Sequence, residues 1–324
     1  MKKRSKQILK ILCSVLIFAL ISGLFNFIVT PVTYGHWAIH DRKLLSGKID
    51  TVIIGDSLPL YAVQPQKLDE ASGCTSFNAC SANQFIDESY YMLLDFIKTE
   101  KIKTVYYGLD YYNFLKKAEK GSLMSAQVVF KRLRNPEVKL MYFKNYFKAD
   151  EGWKWLFPER LSTDRFTEIP NQLKVKLSNE YFRYLPAKSS ADLLDSGTYY
   201  YDRGYVRTDV CNEPYTEGSF DMKEMSESSL AWFEKILELC KENNIDLKLF
   251  HTPVKKDSLS AIENFEFFTD TVNSLANKYG YSFTDYNRYP LRENLSEETG
   301  FVNAAHLNYT GSNIFMQWLC EDSK

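Results

Sequence analysis

The sequence predicts an α/β protein: a flavodoxin-like three-layer α/β/α sandwich with a helical, aromatic insertion, preceded by one transmembrane helix. Short apolar, β-branched segments alternate with longer segments of helical periodicity, which is typical of such a sandwich. An uncharged apolar run near the N-terminus predicts the membrane helix. We therefore divide the chain into a cytoplasmic tail (1–10), a transmembrane anchor (11–30) and an extracytoplasmic domain (45–324) with the insertion at about 115–215.

The anchor prediction depends on the length of the apolar run and on the charges before it. Residues 11–30 carry no charged side chain, and as a helix they can span a hydrocarbon core of ~30 Å. Residues 1–40 contain five basic side chains and no acidic one, which favours a cytoplasmic N-terminus. The alternatives are a cleaved signal peptide and a buried helix of a soluble protein. The long run without an A-x-A site disfavours the first, and the adjacent bases disfavour the second.

The composition of the remaining chain excludes several classes of protein. It holds 35 basic against 41 acidic side chains, whereas a nucleic-acid-binding protein presents a basic face. Four histidines and six cysteines without a CxxC spacing predict neither a metal site nor a cofactor. Cys74 and Cys80 flank a predicted strand, where a disulfide is one option and free thiols the other. Cys240 and Cys320 occupy apolar helix positions and are expected in the core.

Five strands and four helices are expected in the extracytoplasmic domain. Short apolar or β-branched runs predict strands at 50–55, 75–78, 102–108, 247–250 and 281–285. Apolar residues at three- and four-residue spacing predict helices at 85–98, 222–241, 262–279 and 311–321. In an open sheet of this kind, ligands bind at the carboxyl ends of the strands.

The insertion is rich in aromatic and basic residues. Trp153, Trp155 and Phe157 make its centre aromatic. The basic stretch 128–148 is either a solvated helix face or a contact with anionic lipid or a membrane partner. The tyrosines of 199–205 either line a glycan groove or pack in the core.

Two segments at opposite ends of the domain carry side chains suited to nucleophilic catalysis. Gly55, Asp56 and Ser57 directly follow the first strand, where a sharp turn allowed by glycine can expose the serine hydroxyl. The alternative is that Asp56 or Ser57 only caps the next helix. His306 precedes the last helix, and a neutral histidine is the usual base for activating a serine.

These residues lie within a wider set of blocks: VIIGDSL at 52–58, FNACSANQ at 77–84, YYGLD at 106–110, FHTPV at 250–254 and NAAHLNYTGS at 303–312. In these blocks the chain resembles the SGNH/GDSL hydrolase superfamily, particularly a membrane-anchored cell-envelope branch similar to teichoic-acid D-alanyl-transfer and polysaccharide O-acetylation proteins. The resemblance implies that Ser57 is the nucleophile and His306 the general base. It also implies an acyl-ester hydrolase or O-acyltransferase, with an envelope polysaccharide or an acyl carrier as its substrate.

The chain departs from the family pattern at three positions. Asn83 replaces the oxyanion-hole glycine, but asparagine tolerates a left-handed backbone and can still offer its N–H. Asp110 replaces an asparagine donor, and an ionised carboxylate cannot donate. Asn303 replaces the aspartate that orients the histidine. Asn78 and His251 are further candidates for oxyanion or substrate contact at the same rim.

These departures leave three hypotheses open. Ser57, His306 and Asn303 form a weakened catalytic group, or Asp110 takes the place of Asn303 on the His306 ring. The third hypothesis is a catalytically inactive accessory module that binds glycan or an integral membrane acyltransferase.

Overall fold

The computed structural model describes residues 2–30, 32–117, 123–147, 169–183, 197–211 and 219–322. The chain forms two compact units. The first comprises the described residues of Met1–Val32 and Phe147–Leu185, and the second those of Thr33–Tyr146 and Pro186–Lys324.

The described helices are α1 (Lys2–Val29), α2 (Tyr34–Leu44), α3 (Ser57–Ala62), α4 (Pro65–Ser72), α5 (Ile86–Thr99), α6 (Tyr111–Leu115), α7 (Leu123–Arg132), α8 (Pro136–Tyr146), α9 (Ile169–Lys176), α10 (Asn179–Phe182), α11 (Glu227–Glu242), α12 (Lys256–Ser260), α13 (Phe265–Tyr279) and α14 (Tyr309–Glu321). The described strands are β1 (Thr51–Ile54), β2 (Ser76–Asn78), β3 (Thr104–Gly108), β4 (Thr198–Asp202), β5 (Tyr205–Thr208), β6 (Phe220–Asp221), β7 (Asp246–His251), β8 (Ile262–Glu263) and β9 (Phe283–Asp285).

A parallel five-stranded sheet with the order β2-β1-β3-β7-β9 forms the centre of the second unit. Its strands coincide with the five predicted runs, so the mixed α/β class and the parallel sheet are confirmed. Side chains of alternate residues point to opposite faces of the sheet. Ile53, Tyr106 and Phe250 share one buried core cluster with Phe315 and other residues of α14. Tyr107 contacts Phe233 of α11, with 6.2 Å between the ring centroids.

The predicted helices are present, with shifted starts and several additions. The helix expected from 262 begins at Phe265, because Ile262–Glu263 forms the short strand β8. The helix expected from 222 begins at Glu227, because Met222–Glu224 forms a 3₁₀ turn capped by Asp221. Helices α2, α3 and α4 were not predicted. α3 has only six residues and contains Pro59, so its sequence does not repeat the helical period.

The described parts of the insertion fall into both units. Helices α7 and α8 and the antiparallel β4–β5 hairpin belong to the second unit, whereas α9 and α10 belong with α1 to the first. Trp153, Trp155 and Phe157 lie outside the described residues, as does the end of the basic stretch. Of the tyrosines in the hairpin, Tyr200 and Tyr205 are buried in the core and Tyr201 is exposed. The basic stretch is not a uniformly solvated face, because Arg132 is buried.

The cysteines are free thiols, so the disulfide considered for Cys74 and Cys80 is not formed. Cys80 lies in the buried core, whereas the Cys74 thiol donates to Asp69 Oδ1 at 3.4 Å. Cys240 is buried as expected, and Cys320 is half-buried against the core cluster.

A buried ion pair joins the helices at one side of the sheet. Arg42 of α2 contacts Asp95 of α5 at 2.7 Å, and its guanidinium lies 3.5 Å from the centroid of the Phe96 ring. Asp95 Oδ1 also accepts from the N–H groups of Arg134 and Asn135, at 2.8 and 2.6 Å. Burial lowers the pKa of Arg42 to about 10, so the guanidinium stays charged at neutral pH.

Replacing Arg42 by methionine should lower the free energy of unfolding by about 3–5 kcal/mol, because the Asp95 carboxylate would remain buried without its cation. Denaturant unfolding of the full chain in detergent micelles measures the change. The control is Lys98→Met, which removes the exposed 2.8 Å pair with Glu137 and should cost less than ~1 kcal/mol. Equal losses in the two variants would contradict the assigned role of the buried pair.

Candidate active site

The turn after β1 presents Ser57 at the carboxyl edge of the sheet. Gly55 has φ +137°, and a Cβ built on it would lie 2.6 Å from the carbonyl oxygen of Gly108 at the end of β3. Only glycine fits this close approach of two neighbouring strand ends. Asp56 is the N-cap of α3, with Oδ1 accepting from the Leu58 N–H at 3.0 Å, and Ser57 begins the helix.

The loop before α14 presents His306. The Val302 N–H donates to the His306 carbonyl at 2.8 Å, and Phe301 pairs with Leu307 in an antiparallel bridge. Asn303 Oδ1 accepts from the N–H groups of Ala305 and His306, both at 3.1 Å. These bonds form a tight asparagine turn, which fixes the position of the His306 ring relative to its loop.

Ser57, His306 and Asn303 form one hydrogen-bonded chain. Ser57 Oγ lies 2.8 Å from His306 Nε2, and Asn303 Oδ1 lies 3.0 Å from His306 Nδ1. Because two backbone N–H groups donate to this Asn303 atom, it must be the amide oxygen. It therefore accepts from Nδ1–H, which leaves Nε2 unprotonated to accept from the Ser57 hydroxyl.

The environment of His306 keeps the ring neutral. Burial lowers the pKa of His306 to about 4, and the negative charge of Asp110 opposes that shift. The Tyr61 ring packs edge-on against the imidazole, with 5.4 Å between the centroids. At neutral pH the ring is thus an unprotonated base already bonded to a hydroxyl.

Apolar packing holds the two halves of the site together. Leu58, Val254 and Ala305 form a buried cluster, and Leu259 packs against it. Leu58 follows Ser57 and Ala305 precedes His306, so the cluster joins the two segments directly behind the Ser57–His306 hydrogen bond.

Asp110 lies beside the site but bonds to Asp56 rather than to the His306 ring. The two carboxyl groups share a hydrogen bond, and burial, followed by the charge of Asp110, raises the pKa of Asp56 well above its usual range. Asp56 is therefore the carboxyl of the pair that favours its protonated form, and its Oδ2 accepts from Asn113 at 2.7 Å. Since both His306 ring nitrogens bond elsewhere, the hypothesis that Asp110 replaces Asn303 on the ring is wrong.

Asn83 adopts the left-handed backbone expected at its position, with φ +55°. It lies in an exposed turn of the 79–84 loop, which several side chains brace. Ser125 Oγ donates to the Asn83 carbonyl at 3.1 Å, Arg132 donates to the Cys80 carbonyl at 2.8 Å, and the Ala82 N–H donates to Tyr34 Oη at 3.2 Å.

Asn78 and His251 do not reach the surface of the site, which corrects their assignment to substrate contact. Asn78 is buried, and its amide donates to the carbonyls of Pro59 and Val63 at 3.0 and 3.1 Å. Its role is therefore to tie α3 to the end of β2. His251 is also buried, and its Nδ1 lies 3.0 Å from Asn287 Nδ2.

Two residues of the site were not predicted from the sequence. Tyr61 lies four residues after Ser57, the spacing of neighbours on one helix face, so recognising α3 would have indicated it. Asn113 donates to Asp56, and the sequence indicates this residue only through its position three residues after Asp110. In the described ranges, His, Cys, Asp and Glu side chains do not form a group of three that could hold a metal.

Replacing Gly55 by alanine should abolish the reactivity of Ser57, because the new Cβ would push β1 away from the Gly108 carbonyl. The rate of labelling by a serine-directed fluorophosphonate measures this effect. The matched control is Gly73→Ala, which has a similarly positive φ of +65° but no neighbouring atom within 4 Å of the added Cβ. Retained labelling in the Gly55 variant would show that the close approach does not position Ser57.

Comparison with known proteins adds no family: no protein-family model matches the chain, and no curated protein matches it significantly. The geometry of the site itself is therefore what supports a function.

Proposed function

We propose that the protein is a membrane-anchored, extracytoplasmic serine enzyme of the SGNH/GDSL type. It would hydrolyse or transfer acyl esters on a cell-envelope polysaccharide. The observation that carries the proposal is the continuous hydrogen-bonded chain from Ser57 through His306 to Asn303. When only the five strands of the central sheet are numbered along the chain, their order in the sheet is 2-1-3-4-5. This is the flavodoxin-like order expected for this fold.

The proposed location rests on α1. Lys6–Val29 is long and apolar enough to cross a membrane. We assign the basic N-terminus to the cytoplasm and the sheet unit to the outside, in accordance with the charge bias of membrane helices. On this assignment the serine chemistry would act among envelope polymers and membrane-bound acyl carriers.

The first half of the proposed reaction makes an acyl-enzyme. Ser57 Oγ attacks the carbonyl carbon of the acyl ester as His306 Nε2 takes the hydroxyl proton. The backbone N–H groups of Ser57 and Asn83 are the donors that we assign to the oxyanion. Collapse of the tetrahedral intermediate breaks the ester C–O bond, and His306 returns the proton to the leaving alcohol.

The second half reverses these steps with a different nucleophile. Water or a sugar hydroxyl gives its proton to His306 and attacks the acyl carbonyl, which restores Ser57 and releases an acid or a new ester. The same residues serve hydrolysis and transfer. Exclusion of water from the acyl-enzyme would favour transfer.

Ser57→Ala should abolish labelling of the full chain by a fluorophosphonate, and His306→Gln should slow the labelling strongly because the hydroxyl then lacks its base. The matched control is Ser260→Ala, an exposed serine on α12 that should leave labelling unchanged. Fluorescence of the labelled band on a gel, with circular dichroism to confirm folding, measures the outcome.

Two results would overturn this assignment. Labelling that persists in Ser57→Ala would place the reactive group elsewhere. An unlabelled but folded wild-type chain would instead favour the accessory module that binds glycan or an integral membrane acyltransferase.

Asn303→Asp should raise the labelling rate about tenfold at neutral pH. A charge-assisted hydrogen bond to the imidazolium is stronger than a neutral one by about 1–2 kcal/mol, and 1.4 kcal/mol corresponds to a factor of ten. Because His306 acts as a base only when neutral, the wild-type rate should fall as the pH drops through about 4. The added carboxylate stabilises the imidazolium, so this fall should move to higher pH in the variant.

The control for this variant is Asn303→Ala, which removes the hydrogen bond without adding charge and should lower the rate. Rate–pH profiles of all three chains provide the comparison. An Asn303→Asp profile that coincides with the wild type would show that the ring does not gather charge during the reaction.

A further inference from the structure

Within the first unit, the segment 169–183 packs against the last turn of α1. The buried amine of Lys176 donates to the carbonyls of Phe27 and of Ile28, the latter at 3.2 Å. Gln172 Oε1 accepts from the Val32 N–H at 2.8 Å. Both contacts reach backbone groups where the α1 helix ends.

The chemistry of a helix end explains this arrangement. The last four carbonyls of a helix have no partner within the helix, and a cation near them also interacts favourably with the helix dipole. Burial lowers the pKa of Lys176 to about 8, so the amine remains mostly protonated at neutral pH. Lys176 therefore caps α1 from a segment about 150 residues further along the chain.

The outer surface of the same segment combines apolar and basic side chains. Leu177 is 68% exposed and Phe182 61% exposed, values that are high for side chains of this size. Lys174 and Arg183 are also exposed. Tyr181 packs edge-on against Phe27, with 6.5 Å between the ring centroids. Aromatic, apolar and basic side chains together are typical of segments at a membrane–water interface.

We propose that 169–183 forms an interfacial collar, seated in the outer surface of the lipid bilayer around the end of α1. The collar rests on the proposed role of α1 as a membrane span. If the apolar run crosses the hydrocarbon core, its last turn lies at the boundary of that core. Groups bonded to that turn must then lie at the same depth. Leu177 and Phe182 contact the upper acyl chains, and Lys174 and Arg183 meet the lipid phosphates.

Photolabelling from the lipid tests the collar. The full chain is reconstituted into vesicles of phosphatidylcholine and phosphatidylglycerol with a phospholipid that carries a diazirine in its acyl chain close to the headgroup. Mass spectrometry should find adducts both in α1 and on the peptides that contain Leu177 and Phe182. Adducts confined to α1 would overturn the collar and leave the span intact. A chain without adducts in α1 would overturn the span and the collar together.

Matched variants show whether the apolar surface makes the contact. Leu177→Glu with Phe182→Glu should remove most of the adduct at 169–183 and leave the α1 adduct unchanged. Asn171→Glu with Asn179→Glu adds the same charge at exposed polar positions and should keep both adducts. Equal loss in the two variants would overturn the apolar contact. Neither variant touches Ser57, so fluorophosphonate labelling of the same samples reports separately on the proposed reaction.

Discussion

The hydrogen bond between Ser57 and His306 joins side chains 249 positions apart, and much of the second unit is arranged to keep it at 2.8 Å. Directly behind the pair, the Leu58 cluster packs the two segments together. Further from the pair, Ser312 Oγ of α14 donates to the carbonyl of Ala62, the last residue of α3, at 2.8 Å. Gln64 Nε2 donates in turn to Ser312 Oγ at 2.8 Å. The contact between chain ends is thus supported by an apolar layer and a polar layer.

An asparagine in the place of the third residue of a serine triad has different consequences in different settings. In a serine protease the same exchange costs ~10⁴ in rate, because the amide stabilises the wrong histidine tautomer. In this chain the N–H groups of Ala305 and His306 hold the amide oxygen of Asn303 toward Nδ1, which preserves the productive tautomer. What the asparagine lacks is only the negative charge that would stabilise the imidazolium. The loss of that charge is a smaller deficit than the wrong histidine tautomer.

The clearest strand prediction is β1, a β-branched apolar run that is buried throughout and ends at a glycine, whereas β2 and β9 are short and partly polar. Ser57 could be found because Gly55 marks the end of a predicted strand. His306 could be found because it lies in the loop just before a clearly predicted helix. Asn78 and His251 occupy equivalent strand ends, yet their side chains point into the protein, which the residue type does not reveal. The Asp56–Asp110 bond could not be predicted either, since it depends on how closely β1 and β3 approach at their ends.

That carboxyl pair limits how much negative charge lies beside the proposed oxyanion. Two ionised carboxylates would repel it twice, but the raised pKa of Asp56 favours its protonated form, which lowers the negative charge of the pair. The remaining charge on Asp110 acts in two opposite ways. It raises the pKa of His306 against burial and so favours the imidazolium, which is the contribution that Asn303 cannot make. It also opposes an oxyanion, so the N–H donors of the turn must outweigh it.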